Sequence, residues 1–152
     1  MYSSFLDTPV GWLKIEANEN YITSIKFLSP NTNENLKTND LIKQCEEELL
    51  AYFDGYLQHF NVPISFEKGT LFQQKVWNEL KKIPYGKCVS YKDIAQKIQN
   101  PKAVRAVGGA NNKNPLPIIV PCHRVIGVNK KLVGYAGGLE RKEFLLKLEG
   151  YM

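Results

Sequence analysis

Alternating apolar and polar positions dominate the first 27 residues, which is the pattern of half-buried β-strands. The alternation covers residues 12–15 and residues 21–27, on either side of the turn-forming run Asn18-Glu19-Asn20. It predicts two antiparallel strands. Residues 61–66 alternate in the same way, with Val62, Ile64 and Phe66 on one face, and predict a further strand.

Helical spacing replaces the alternation after an Asn- and Thr-rich loop. From Asp40 to about Leu57 the apolar positions lie three or four residues apart: Leu41, Cys45, Leu49, Tyr52, Phe53 and Tyr56. This spacing predicts one amphipathic helix, with Cys45 as a buried small hydrophobe on its apolar face. Residues 1–68 therefore predict a small α/β domain with a short antiparallel sheet.

The second half of the chain is rich in signals for the start of a helix. Thr70-Leu71-Phe72-Gln73 and Ser90-Tyr91-Lys92-Asp93 have the form of capping boxes, and Asn100-Pro101 is typical of a cap followed by a first helical residue. They predict helices over residues 71–82, from residue 91 and over residues 101–110. The last two helices, joined by a tight turn, predict a helix-turn-helix. The whole chain is thus expected to be α+β, with domains at 1–68 and 69–152.

The third of these helices has an unusual composition. Ala103, Ala106, Gly108, Gly109 and Ala110 are small, and Arg105 is its long side chain. Glycine lowers helix stability, so its presence asks for a structural reason. A smooth surface for approach to a narrow groove and close packing against a neighbouring helix explain the glycines equally well.

Charge divides the chain more sharply than its overall net charge of +5 suggests. Residues 1–68 hold 5 Lys and Arg against 10 Asp and Glu, a net −5, whereas residues 69–152 hold 15 against 5, a net +10. Lysine and arginine clustered in one domain favour an acidic partner such as nucleic acid. The alternative is a solvated basic surface.

The three cysteines, Cys45, Cys88 and Cys122, are widely spaced and odd in number, which favours reduced thiols over a disulfide framework. The N-terminal residues lack the pattern of a signal peptide, and no apolar run is long enough for a membrane helix. We therefore expect a cytoplasmic protein, or a nuclear one in a eukaryote, with no membrane contact. No Cys-x-x-Cys or His-x-x-x-His pair exists, so we expect no metal site.

The strongest chemical signal follows the apolar run Ile118-Ile119-Val120, which predicts a strand ending at Pro121, Cys122 and His123. A cysteine reacts as its thiolate, so a nucleophilic Cys122 needs a base or a cation nearby. Neighbouring side chains on a strand point in opposite directions. A working Cys122–His123 pair therefore needs a turn after Pro121 or a water between the two side chains.

Several segments of residues 69–152 resemble the O6-alkylguanine-DNA alkyltransferases, also called methylated-DNA–protein-cysteine methyltransferases. The segments occur in the order of that family: Val89-Ser90-Tyr91, residues 100–110, Asn114-Pro115, Pro121-Cys122-His123-Arg124-Val125-Ile126-Gly127, residues 134–139 and Leu148-Glu149-Gly150. Residues 1–68 resemble the variable N-terminal domain of the family only loosely.

The resemblance implies direct reversal of DNA damage by a protein that acts once. An alkyl group, typically methyl, would move irreversibly from O6 of guanine to Cys122, with O4 of thymine as a further candidate atom. His123 would deprotonate Cys122 through a bound water, Glu149 would orient His123, and Tyr91 would supply a proton or a hydrogen bond at guanine N3. No cofactor would be required.

The resemblance also implies how DNA is bound. Double-stranded DNA containing O6-alkylguanine would bind a protein monomer through its minor groove, and Arg105 would fill the space left by the flipped base. Ala103 would permit the close approach, and Asn114 would brace the connection to Cys122. The pocket residues would be Pro117, Val125, Tyr135 and Ala136. The main-chain carbonyls of Cys122 and Val125 would receive the guanine amino group.

Three other functions differ from this one in testable ways. A non-catalytic sensor of alkylguanine would bind the lesion and stay unmodified, although its relatives lack the acceptor cysteine. A transcription regulator would need polar base contacts from residues 101–110, which are mostly alanine and glycine. A cysteine hydrolase would turn over repeatedly.

Overall fold

A computed structural model describes residues 1–31, 33–129, 132–135 and 137–152. The chain forms two compact units, Met1–Glu67 and Lys68–Met152. The predicted α+β class is confirmed, because the first unit combines an antiparallel sheet with one helix and the second is mainly helical. No helix in the described residues is both long enough and apolar enough to cross a membrane.

The first unit is a three-stranded antiparallel sheet in the order β1-β2-β3, formed by Tyr2–Thr8, Gly11–Ala17 and Ile22–Phe27. Helix α1, Asp40–Phe53, packs on it, and the side chain of Asn39 caps the helix by accepting from the backbone N–H of Ile42. The core between them is fully buried at Leu13, Ile15, Ile42, Cys45 and Leu49.

Both predicted strands are confirmed, and β1 was missed because only Ser4 of its seven residues is buried. The strand predicted over residues 61–66 is wrong. Ile64 makes a single bridge to Ile22, and Pro63, which has no backbone N–H, contributes only its carbonyl, to the N–H of Ile22. A proline within the segment therefore limits the pairing to one bridge.

Helix α1 has the predicted apolar face with two corrections. Ile42, rather than Leu41, lies in the core, and the helix ends before Tyr56, which is 88% exposed. The helix ends early because Gly55 follows its last turn in a left-handed conformation, with a φ of 82°. Cys45 is buried as predicted, and burial raises its thiol pKa to about 12.

The second unit begins with α2, Leu71–Leu80, and continues through the two-residue strand β4, Val89–Ser90, into α3, Tyr91–Lys97. Both predicted capping boxes are present, at Thr70 with Gln73 and at Ser90 with Asp93. Helix α4, Val104–Asn112, packs against α2 and α3. The indole N–H of Trp77 on α2 donates to the carbonyl of Ala110 on α4 at 2.8 Å.

The prediction that Asn100 and Pro101 open the third helix is wrong, since α4 starts at Val104 after a cap without a side-chain hydrogen bond. The end of α3 uses these residues instead. Gln99 has a φ of 60°, and the N–H of Asn100 bonds back to the carbonyl of Ala95 at 2.9 Å. This is the hydrogen bonding of a Schellman motif, which terminates α3 and delays α4.

Replacing Gln99 by glycine is expected to stabilise the second unit. Glutamine is strained at a positive φ, and glycine is not, although glycine loses more chain entropy on folding. The net gain should be about 0.5–1 kcal/mol, measured by urea unfolding. Gln96→Gly, within α3, should destabilise instead. A destabilised Gln99→Gly variant would contradict the strain argument.

The chain after α4 forms the short elements that support the candidate site. Residues Cys122–Arg124 form one turn of 3₁₀-helix, and β5, Val125–Ile126, then pairs in parallel with β4. Helix α5, Leu139–Leu148, completes the unit. The strand predicted at residues 118–120 is wrong. Ile118 has a φ of 76°, and the N–H of Val120 bonds to the carbonyl of Leu116, so the segment is a tight turn.

Candidate active site

The turn required for a Cys122–His123 pair is present. Because residues 122–124 form a 3₁₀ turn rather than continuing a strand, both side chains enter the interior of the second unit. Cys122 is 2% exposed and His123 is fully buried. The tight turn at Ile118 precedes this 3₁₀ turn and redirects the chain toward it.

His123 is held by Glu149, which follows the last residue of α5. Nε2 of His123 lies 2.7 Å from Oε2 of Glu149, and both side chains are fully buried. A carboxylate can only accept, so Nε2 carries the proton and Nδ1 is the basic nitrogen. Nδ1 is buried and has no hydrogen-bond partner within the described residues. The sequence placed Glu149 in this role only through the resemblance.

The protonation of His123 follows from its surroundings. Burial lowers its pKa below the usual value, while the hydrogen bond and the charge of Glu149 act in the opposite direction. The positive charges of Arg124 and Lys142 lower the pKa further. His123 is therefore a neutral base at pH 7.

Arg124, which the sequence indicated only as positive charge next to Cys122 and His123, is a member of the site through its contacts with Glu149. Its Nε donates to Oε1 of Glu149 at 2.7 Å and its Nη2 to Oε2 at 3.0 Å, while its Nη1 donates to the carbonyl of Ile83 at 2.7 Å. The guanidinium also lies 5.6 Å from the centre of the Tyr85 ring. This paired arrangement neutralises the carboxylate that orients His123. Its position directly after His123 was the available signal.

The thiol of Cys122 is protonated at rest, because burial raises its pKa to about 11. A hydrogen bond with the side chain of Asn114 and the positive charge of Lys142 oppose that rise. The amide of Asn114 also donates to the carbonyl of Val120 at 2.8 Å and accepts from the N–H of Leu116 at 2.9 Å. Asn114 thus ties the end of α4 to the turn that precedes Cys122.

Lys142 on α5 was not predicted from the sequence, because buried lysines are rare and no local sequence pattern indicates one. Its side chain is fully buried, and Nζ donates to the carbonyls of Val125 at 2.5 Å, Val133 at 2.9 Å and Gly134 at 3.1 Å. Burial lowers its pKa to about 8, so the ammonium remains mostly charged at pH 7. It supplies positive charge near Cys122.

Tyr91 and Tyr135 lie close enough to Cys122 for its charge to affect both hydroxyls. The hydroxyl of Tyr91 donates to the carbonyl of Val133 at 2.7 Å, and burial raises its pKa, with the negative charge of a Cys122 thiolate as the second cause. Tyr135 is 8% exposed and its pKa is raised well above the usual value, again chiefly by burial. Pro117 is buried in the tight turn. Ala136, the remaining predicted pocket residue, lies outside the described residues.

Arg105 lies apart from this buried cluster, on the exposed side of α4, and Ala103 precedes the helix and is half-buried. A Cβ added at Gly109 would meet nothing within 4 Å, and one added at Gly108 would make only ordinary contact with the Tyr91 ring. Close helix packing therefore does not explain Gly109. The exposed face of α4 has small side chains next to Arg105, which would allow the helix to approach a groove closely.

The arrangement can perform one kind of chemistry well. The site combines a thiol, a neutral imidazole whose basic nitrogen has no partner among the described residues, a carboxylate paired with a guanidinium, and a buried ammonium. These are the parts of an activated cysteine nucleophile. Helix α4 carries the exposed Arg105. The structure therefore brings together Cys122, His123, Glu149, Tyr91 and Asn114, and leaves Arg105 at the surface.

Comparisons with known proteins agree over the whole chain. Residues 1–66 match the family described as 6-O-methylguanine DNA methyltransferase, ribonuclease-like domain, and residues 71–151 match its DNA binding domain. The chain is 46% identical over 155 residues to the methylated-DNA–protein-cysteine methyltransferase of Methanosarcina acetivorans, covering 99% of both proteins. It is 47% identical over 158 residues to the constitutive enzyme of Bacillus subtilis, covering 97% of this chain and 94% of that protein.

The chain is also similar to solved structures of O6-methylguanine methyltransferases. The crystal structure of Mycobacterium tuberculosis OGT in complex with DNA matches with a TM-score of 0.88 and 42% identity, over 98% of this chain and 92% of that one. The O6-methylguanine-DNA methyltransferase of Pyrococcus kodakaraensis matches with a TM-score of 0.72 and 28% identity, over 98% of both chains. The chain therefore belongs to the 6-O-methylguanine DNA methyltransferase family, whose members repair DNA by transferring a methyl group from O6-methylguanine to a cysteine.

Proposed function

We propose that Cys122 is the acceptor of that methyl group and that His123 and Glu149 activate it. The supporting observation is the buried chain of contacts from Arg124 through Glu149 to His123, next to a thiol that is otherwise protonated. His123 Nδ1 takes the thiol proton through a water. The thiolate sulfur then forms a bond to the methyl carbon as the bond from that carbon to guanine O6 breaks.

The guanine leaves as an anion unless a proton arrives, and Tyr91 is the proposed donor, at N3. In the structure its hydroxyl donates to the carbonyl of Val133, so this bond must be released as the base enters. The proton gained by His123 balances the one that Tyr91 gives up, and solvent exchange restores both. The thioether product is stable, so each protein molecule acts once, without a cofactor.

The proposed substrate is double-stranded DNA, bound through its minor groove by α4. O6 of a stacked guanine cannot reach a buried thiol, so the base must rotate out of the duplex. The exposed Arg105 is the side chain positioned to take its place, with Ala103, Gly108 and Gly109 allowing the backbone to approach. Asn114 links this helix to the turn before Cys122. Pro117, Val125, Tyr135 and Ala136 are proposed to line the alkyl pocket.

We further propose a monomer that acts in the cytoplasm, or in the nucleus of a eukaryotic cell. The cysteines Cys45, Cys88 and Cys122 are free, which is consistent with a reducing compartment.

Mass spectrometry tests this function directly. The protein is incubated with a duplex containing one O6-methylguanine, and then digested. We expect one added methyl group on the peptide containing Cys122, in one-to-one yield with restored guanine. Tight binding of the lesion by protein that remains unmodified would instead support a damage sensor.

The rate of transfer should depend on pH through His123. Because burial lowers the pKa of His123, the imidazole stays neutral as the pH falls through the usual histidine range near 6.5. The single-turnover rate should therefore stay constant from pH 7.5 down past 6.5 and fall only below it, as His123 takes up a proton. A midpoint above pH 6.5 would contradict a lowered pKa.

A further inference from the structure

The turn between α2 and β4, residues 83–86, closes one side of the buried pair formed by Arg124 and Glu149. The carbonyl of Ile83 accepts a hydrogen bond from Nη1 of Arg124 at 2.7 Å, and the guanidinium carbon lies 5.6 Å from the centre of the Tyr85 ring. Arg124 is 6% exposed, whereas Tyr85 is only half-buried. The ring therefore forms part of the cover that separates the guanidinium from water.

The same turn also contacts the chain at Glu149. The backbone N–H of Gly86 donates to Oε1 of Glu149 in a long hydrogen bond of 3.4 Å, and the hydroxyl of Tyr85 donates to the carbonyl of Leu148 at 3.5 Å. Gly86 has a φ of 76°, and a Cβ added to it would lie 3.1 Å from the main-chain oxygen of Glu149. Both the backbone conformation and the close approach to Glu149 therefore favour glycine here.

These contacts matter because Glu149 and Arg124 act on His123 with opposite signs. Burial is the largest cause that lowers the pKa of His123, and the charges of Arg124 and Lys142 lower it further. The hydrogen bond and the charge of Glu149 raise it, whereas the thiol of Cys122 is protonated at rest and carries no charge. The protonation of His123 thus depends on how closely Glu149 approaches it and on how fully Arg124 compensates that carboxylate.

We propose that Tyr85 and Gly86 are positioning residues for methyl transfer, which act through Glu149. Tyr85 covers the guanidinium of Arg124 and so keeps it paired with the carboxylate, and Gly86 lets the chain approach closely enough for that carboxylate to reach His123. A turn that served only to end α2 would need neither contact. This inference rests on the proposed function, in which His123 is neutral before the reaction and takes up the thiol proton during it.

NMR titration of His123 in the free protein tests this role without any reaction. The chain has two histidines, and the exposed His59 serves as an internal reference. In Tyr85→Ala, water reaches Arg124, so the charge of Glu149 acts more fully on His123. The titration midpoint of His123 should therefore move upward by about half a pH unit, the effect of losing one cation–π contact. Tyr85→Phe keeps the ring and should leave the midpoint in place, whereas Tyr85→Leu, a second ring-free variant, should also raise it.

Gly86→Ala should move the midpoint in the opposite direction. The added Cβ pushes Glu149 away from His123, and a more distant carboxylate stabilises the imidazolium less. Gly55→Ala is the matched control, because Gly55 has a similar φ of 82° but an added Cβ would meet nothing within 4 Å. That control should leave the His123 midpoint unchanged. Thermal melting confirms that each variant is folded.

An unchanged midpoint in the ring-free Tyr85 variants or in Gly86→Ala would overturn the inference, since a purely structural role lowers the melting temperature without moving the His123 titration. A shift in the same direction in both sets would overturn it too, because general exposure of the site would cause that result. The single-turnover rate on a duplex containing O6-methylguanine should follow the His123 midpoint in every variant. NMR midpoints that move as expected while the rate profile stays in place would instead contradict His123 as the base, and with it the proposed function.

Discussion

Replacing Cys122 by alanine is expected to abolish methyl transfer to the protein while leaving DNA binding intact. Alanine removes the sulfur that would form the new bond. Arg105 on α4, the side chain proposed to replace the flipped base, is exposed and lies apart from the substitution. Transfer is measured as methylated peptide and binding by titration of a labelled duplex.

The remaining cysteines provide matched controls for this result. Cys45 is buried in the other unit, and Cys88 is half-buried, with its pKa raised to about 11 chiefly by burial. Cys45→Ala and Cys88→Ala should therefore retain full transfer, provided that each variant is folded. Full transfer by the Cys122→Ala protein, or methylation of Cys88, would contradict the assignment of the acceptor.

Replacing Arg124 by leucine should cause the largest loss of stability among the site variants. The substitution removes both guanidinium donors from Glu149, whose side chain is fully buried. Breaking a buried ion pair by removing one partner costs about 3–5 kcal/mol, because the remaining charge is left without compensation. Urea unfolding at pH 7 measures the loss.

The pH dependence separates this cause from a simple packing defect. Without Arg124, the folded-state pKa of Glu149 should rise above its unfolded value, so the folded state binds more protons and the deficit should shrink as the pH falls. Glu149→Gln in the Arg124→Leu background should restore part of the lost stability, since position 149 then no longer holds a buried carboxylate without its guanidinium partner. A loss below about 1 kcal/mol, or a deficit independent of pH, would contradict the charge argument.

The local sequence determined the elements whose signals lie within a few residues. The capping boxes at Thr70 and Ser90 start α2 and α3 as predicted, because each pairs a side chain with a backbone N–H three residues away. Strands β2 and β3 and the buried face of α1 could likewise be predicted from the spacing of apolar residues within each segment. The family could also be recognised from the sequence, and Cys122 could be proposed as the acceptor, because the motif around the thiol is continuous in the chain.

Tertiary structure decided where local signals were ambiguous or absent. Residues 118–120 are as apolar as a strand, yet they form a tight turn whose neighbours are held by Asn114, so side-chain contacts outweigh strand propensity there. The start of α4 was likewise set by the end of α3 rather than by its own capping residues.

The burial of polar side chains was decided in the same way. Arg124, Lys142 and Asn111 look like ordinary surface residues in sequence, and they are buried because distant partners satisfy them. Glu149 lies 25 residues from Arg124, and Asn111 lies 11 residues from Cys122. A buried charge or amide is stable only where such partners converge, and that convergence exists only once the chain has folded.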